Sequence, residues 1–280
     1  MAAEIDTTAL PDKAAFAAAN GWRYEPVGPA PDYSGSMFDF LQGSTVADRF
    51  ILEPGTTASD LPDAEVGILT GKVGGGQAWA GTGGKVKVSF QTSEVMTVGY
   101  LAVKLERKLP QFVLDSSKND DGRYSNLPMP IAAGQTLSLE GDFDQHFTLH
   151  SPRGYERDAL YIFTPDLMAL LIDETGDFDV EIVDEWFFVY ARHGFDLSNA
   201  TLWRRLERIR HIVGAKAITR TDLYANARDP AVIAEGSRLR MGFFSGRSRI
   251  GIKLVLILGL TALMLVLGFV VMIVVFFVTA

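Results

Sequence analysis

The run LVLILGLTALMLVLGFVVMIVVFFV, Leu254 to Val278, decides how this chain is laid out. Its 25 residues carry no charge, and 19 of them are Leu, Ile, Val or Phe. A helix rises about 1.5 Å per residue, so the run is roughly 37 Å long and crosses a hydrocarbon core of about 30 Å with some tilt. Apolar residues near the bilayer centre contribute about −0.3 to −0.6 kcal/mol each, which sums to a ceiling on the order of −8 kcal/mol. A buried core helix needs no uncharged run of this length. The expectation is one transmembrane helix over residues 250–279.

Arg238, Arg240, Arg247, Arg249 and Lys253 precede the run, and only Thr279 and Ala280 follow it in the sequence. Basic residues mark the cytoplasmic side of a span. The opening MAAEIDTTALPDKAAF lacks the basic start and apolar core of a secretory signal. These features predict a single-pass, tail-anchored protein of the cell membrane with its N-terminal body in the cytoplasm.

Charge is divided unevenly along the chain. Residues 1–199 hold 14 Lys and Arg against 30 Asp and Glu, a net of −16, whereas residues 200–280 hold 12 against 4, a net of +8. A basic segment gains about 1 kcal/mol per charge at an anionic leaflet. The five basic residues before the span are therefore expected to lie against anionic lipid headgroups, as part of a juxtamembrane linker over 214–249. A body at −16 is repelled by the same surface and is a poor partner for nucleic acid. There is no cysteine, which excludes disulfides, thiolate catalysis and cysteine-based metal sites.

The body, residues 1–213, reads as α+β, mainly antiparallel sheet with a few helices, with a possible division into two subdomains near 130. Pro11 to Asn20 is alanine-rich and stops at Asn20-Gly21, the pattern of a short helix. A strand is expected to start at Trp22, and the prolines at 26, 29 and 31 predict a loop over 26–36. Strands are expected over 47–52, 66–70, 85–90, 95–105, 111–114 and 135–140, and two more over 178–182 and 185–191. In the last of these, Trp186, Phe188 and Tyr190 alternate with Phe187, Val189 and Ala191, so both faces are apolar and the strand is central. A short helix is expected over 155–161. Thr164-Pro165-Asp166 opens another, with a capping hydroxyl, a proline in the first turn and an acid at the positive end of the dipole. The final body helix, 196–213, is capped by Asp196 or Ser198. It carries Leu202, Leu206, Ile209 and Val213 on one face and Arg204, Arg205, Arg208 and Arg210 around the rest. Such a helix suits either a membrane surface or the side of a sheet.

Two stretches could carry chemistry. The glycines of 71–76 and 81–84 do not make a phosphate loop, because Trp79 and Val86 stand where that loop needs Gly and Ser or Thr. Hairpin turns explain them. In Gly141-Asp-Phe-Asp-Gln-His-Phe-Thr-Leu-His150, a strand would put Asp142, Asp144, His146 and His150 on one face. Two carboxylates and two imidazoles are a metal or acid–base set, with His193 the other candidate in this half. The plainer alternative is a solvated polar face.

The order Phe143-x3-Phe147, then Leu160-x3-Thr164-Pro165-Asp166-Leu167-Met168, then Phe187-Phe188-Val189-Tyr190 resembles an uncharacterised bacterial family of membrane proteins of unknown function, over about residues 40–195. The resemblance implies a membrane-tethered body and no catalytic residues. The leading expectation is a membrane-tethered binding or scaffold protein with a protein partner and no cofactor. The rival is a metal-dependent hydrolase built on the Asp/His stretch.

Overall fold

The computed structural model describes residues 5–53, 61–74, 78–80, 86–88, 91–120, 125, 127, 131–139, 141–214 and 237–240. In chain order the elements are helix α1 (Lys13–Ala19), strand β1 (Arg23–Pro29), helix α2 (Ser36–Phe40), strands β2 (Leu41–Leu52), β3 (Ala64–Gly74), β4 (Ala78–Ala80), β5 (Val86–Val88), β6 (Gln91–Ser116) and β7 (Thr136–Leu137), helix α3 (Phe143–His146), strand β8 (Phe147–His150), helices α4 (Glu156–Ile162) and α5 (Pro165–Thr175), strand β9 (Asp179–Arg192) and helix α6 (Ala200–Ile212). The main sheet runs β1-β2-β3-β6-β8-β7, with β9 paired to β6, and β4 and β5 form a separate hairpin. Every pairing is antiparallel. The body is α+β, mainly antiparallel sheet with a few helices.

The spine is the β6–β9 ribbon. The strands expected over 95–105 and 111–114 are one strand of 26 residues. Pro110 does not end it, because the register slips between Lys104 and Leu109 and again between Leu109 and Phe112. A bulge removes the need for the proline's missing N–H. The strands expected over 178–182 and 185–191 are likewise one, β9, and opposite Leu109 its Asp184 takes a φ of 49°. Both strands are thus irregular at the same level, and there the ribbon folds over. An extended strand of 14 residues spans about 46 Å, yet the rings of Phe178 and Phe195, which flank β9, meet at 5.6 Å.

The hollow of the bent ribbon holds the larger core. Phe16 of α1, Trp22, Phe50 of β2 and Trp203 of α6 contact one another ring to ring at 4.8–5.9 Å. The same cluster takes in Leu101 and Phe112 of β6, Phe147 of β8, and Leu167 and Leu171 of α5, so it includes residues from both sides of 130. On the other sheet face Met37, Phe38 and Phe40 of α2 cover Tyr100, Phe188 and Tyr190. The approach there is close enough that a Cβ on Gly35 would sit 2.9 Å from the Phe188 ring.

Helix ends follow local chemistry. Asp12 caps α1 by accepting from the N–H groups of Ala14 and Ala15 at 3.0 Å, and Thr164 caps α5 through Leu167 N at 3.4 Å with Pro165 in the first turn. The cap of α6 is Asn199, which accepts from Thr201 N at 2.8 Å, not Asp196 or Ser198. Those two instead bond each other one turn earlier. The apolar face of α6 is spent on the core through Trp203, Leu206 and Ile209, and Arg210 is buried with them.

Other boundaries differ from expectation. The loop expected over 26–36 begins only after Pro29, because β1 pairs with β2 as far as Pro29↔Thr45. An edge strand tolerates proline, since one of its sides has no partner to donate to. Residues 143–146 are helical, and the strand starts at Phe147. Among the described residues no helix is long and apolar enough to cross a membrane. The run Leu254–Val278 and the basic residues Arg247, Arg249 and Lys253 lie outside the described residues.

Candidate functional site

The four Asp and His residues singled out between 142 and 150 do not share a face. One turn of helix brings Asp142 and His146 to 3.9 Å. Asp144 accepts from Ser138 Oγ and, at 3.1 Å, from Leu139 N. His150, on β8, faces Thr136 of β7 with Nδ1 and Oγ1 3.4 Å apart. The alternation that suggested a strand is broken by α3, because a helix repeats every 3.6 residues and a strand every two. Among the described residues no group of three His, Asp or Glu is placed to hold a metal ion.

His193 lies elsewhere, in a cleft of about 700 Å³ at the open end of the bent ribbon. One wall is the turn that ends β9, where His193 and Gly194 take φ values of 70° and 89°. His193 N donates to Thr97 O at 3.1 Å and Gly194 N to Ala191 O at 3.2 Å. Phe195 then folds down on Gly99, so tightly that a Cβ there would be 2.6 Å from the ring. The opposite wall is Asn119, Asp120, Asp177 and Phe178, and the start of α6 closes the third side with Asn199, Thr201 and Arg205.

Arg205 ties that wall to its neighbours. Its Nε donates to Glu174 O at 2.5 Å, both terminal nitrogens reach the Asp177 carboxylate, and its carbon sits 4.1 Å above the Phe178 ring. Burial acts to raise the Asp177 carboxyl, but the bonds and charge of Arg205 outweigh it and hold the group below its ordinary range. Beneath the cleft Asp179 is buried, and its Oδ1 accepts from Ser116 N at 2.9 Å and Asn119 Nδ2 at 3.0 Å. Burial is the larger influence here and pushes it up to about 6.

A second polar assembly occupies the bend of the ribbon. The buried Glu181 carboxylate accepts from Ser36 N at 2.8 Å, Ser36 Oγ at 2.5 Å, Gln111 Nε2 at 2.7 Å and Tyr190 Oη at 3.1 Å. Burial nevertheless raises it. Gln111 passes the network on to a short C-terminal segment, Ser237–Arg240. Its N–H donates to Ser237 O and its Oε1 accepts from Leu239 N, each at 2.8 Å. Arg238 reaches Ser34 O at 2.8 Å and Asp184 Oδ2 at 2.7 Å. Arg240 exchanges main-chain bonds with the Gln135 amide. Of the five basic residues assigned to a lipid surface, Arg238 is thus ion-paired to the head and Arg240 is held by its backbone.

A third buried carboxylate, Glu65, accepts from Tyr33 Oη at 3.0 Å, from Arg49 at 2.7 Å and from Tyr100 Oη. Burial, then the Glu65 charge, raises both phenols far above neutrality, so neither exchanges a proton there.

Composition offered no route to the cleft or to the clamp at the bend, since both are assembled from residues far apart in sequence. One signal was available. Glu181 interrupts the apolar stretch Val180–Val183, and a buried acid requires donors.

No described protein family matches the chain, and no curated protein matches it. Among solved structures, the crystal structure of the mycobacterial trehalose monomycolate transport factor A, TtfA, is similar at a TM-score of 0.40 and 11% identity, over 80% of this chain and 98% of that one. A likeness of that degree carries no argument about this chain.

Proposed function

We propose that this chain is a membrane-tethered binding or scaffold protein, with an acidic head on the cytoplasmic side of a single apolar span over 254–278. The observation that carries the reading is the uncharged run of 25 residues with five basic residues ahead of it. Features of the head support it. The segment Ser237–Arg240, which leads toward that run, is pinned at the bend of the β6–β9 ribbon, and the cleft lies at the ribbon's other end. A partner entering the cleft meets the carboxylates of Asp120, Asp177 and Asp196 beside Arg192, His193 and Arg205, on a head whose first 199 residues carry a net of −16. The charge of the head as a whole favours a protein surface with exposed Lys or Arg.

The absence of native cysteine makes the test direct. A cysteine introduced at Asp196, on the cleft rim, is given a photocrosslinker in membranes from expressing cells. The proposal expects one discrete adduct from Asp196→Cys, weakened when Asp120→Asn removes a lining carboxylate, and none from an anchor-only control. Adducts equal to the control's remove the binding role.

A further inference from the structure

We infer that the groove holding Ser237–Arg240 is a recognition site for an extended peptide carrying arginine followed by an apolar residue, filled in cis by the chain's own segment. This goes beyond the proposal above and does not depend on the membrane span.

The groove reads main chain as well as side chain. Ser237 O, Leu239 N, Arg240 N and Arg240 O are all bonded to the head, through Gln111, Ala132 and Gln135 at 2.8 Å. Two glutamine amides thus serve as a substitute for a neighbouring strand, the mode by which sheet edges take up peptides. Side-chain selection is added at two positions. Arg238, its side chain 41% exposed, is paired at the surface with Asp184 Oδ2 and the Ser34 carbonyl. Leu239 closes a small apolar cluster with Val113, Leu127 and Ile131 and is 9% exposed.

Both glutamines are also held by groups other than the segment. Gln111 Nε2 is already given to Glu181 at 2.7 Å and to Ser36 Oγ at 3.1 Å, which aims Oε1 at the segment. Gln135 has an anchor outside the segment as well, its Nε2 donating to Ala132 O at 3.3 Å. A preorganised groove of this kind loses little entropy on binding. Tethering sets the local concentration of the segment on the order of millimolar. A free peptide must therefore compete with it, and an intrinsic Kd of about 100 µM is weakened roughly tenfold in the intact chain. The arrangement is a latch that ties the head to the foot of its own linker and yields to the same chemistry offered in trans.

The test uses the full chain and a fluorescein-labelled peptide of residues 236–241, Gly-Ser-Arg-Leu-Arg-Met. Arg238→Ala with Leu239→Ser empties the groove. The opened variant is expected to bind the peptide at least tenfold more tightly than the native chain. Adding Asp184→Asn, a residue that tolerates the left-handed φ there, is expected to reverse most of that gain. A second measurement needs no variant: millimolar peptide added to the native chain is expected to speed deuterium uptake at its own Leu239 and Arg240. Equal peptide binding by the opened and native chains, or unchanged uptake at saturating peptide, overturns the inference.

Discussion

Asp179 offers the sharpest test of the energetics around the cleft. Its carboxyl is raised from an ordinary 3.8 to about 6, first by burial and then by Asp120, against the bonds from Ser116 and Asn119 and the charge of Arg192. The native state therefore holds the proton more tightly than the unfolded chain does. Folding takes up a proton between about pH 4 and pH 6, and stability falls as pH rises through that window. About two units at about 1.4 kcal/mol each give a cost near 3 kcal/mol for carrying the charge above pH 6. Asparagine removes the charge and keeps the acceptor, because both bonds to the group land on Oδ1. Asp179→Asn is thus expected to raise stability at pH 7.5 by up to about 3 kcal/mol. That is up to about 6–12 °C in Tm for a body of this size. The gain should fade to nothing by pH 4. Thermal unfolding followed by circular dichroism at pH 4, 5, 6 and 7.5 reads both the sign and the window. A destabilised variant at pH 7.5, or a difference that does not change with pH, would refute the reasoning.

Other consequences are simpler. Gly99→Ala drives a methyl to 2.6 Å from Phe195 and its backbone N, so a loss of about 1–3 kcal/mol in denaturant unfolding is expected. Trp203→Ala removes a ring that is 1% exposed and packed edge-on or tilted against Phe16, Trp22 and Phe50. The expected loss is about 3–5 kcal/mol by the same measurement. Asp12→Ala leaves two N–H groups of α1 without their acceptor, at a cost of about 1 kcal/mol.

Features set by neighbours in sequence were legible beforehand. Thr164-Pro165-Asp166 begins α5 because a hydroxyl cap and a first-turn proline act over three residues. The two apolar faces of Trp186–Ala191 marked a buried strand, and β9 packs Phe187 and Val189 into one core and Phe188 and Tyr190 into the other. Features that depend on the partner strand were not legible. Pro110 reads as a stop in isolation, and only the bulge opposite Asp184 lets β6 run through it. Asp142, Asp144 and His146 alternate as a strand would, yet a single helical turn intervenes before Phe147. The cleft and the latch join residues more than a hundred positions apart in places, such as Gln111 with Leu239, and no periodicity records such pairs.

Membrane attachment through 254–278 is measured most directly by flotation after an alkaline carbonate wash. Vesicles carrying the full chain are expected to rise through a density gradient with the protein still in them, and a variant lacking 254–278 is expected to stay at the bottom. A full chain released into the carbonate supernatant contradicts the account.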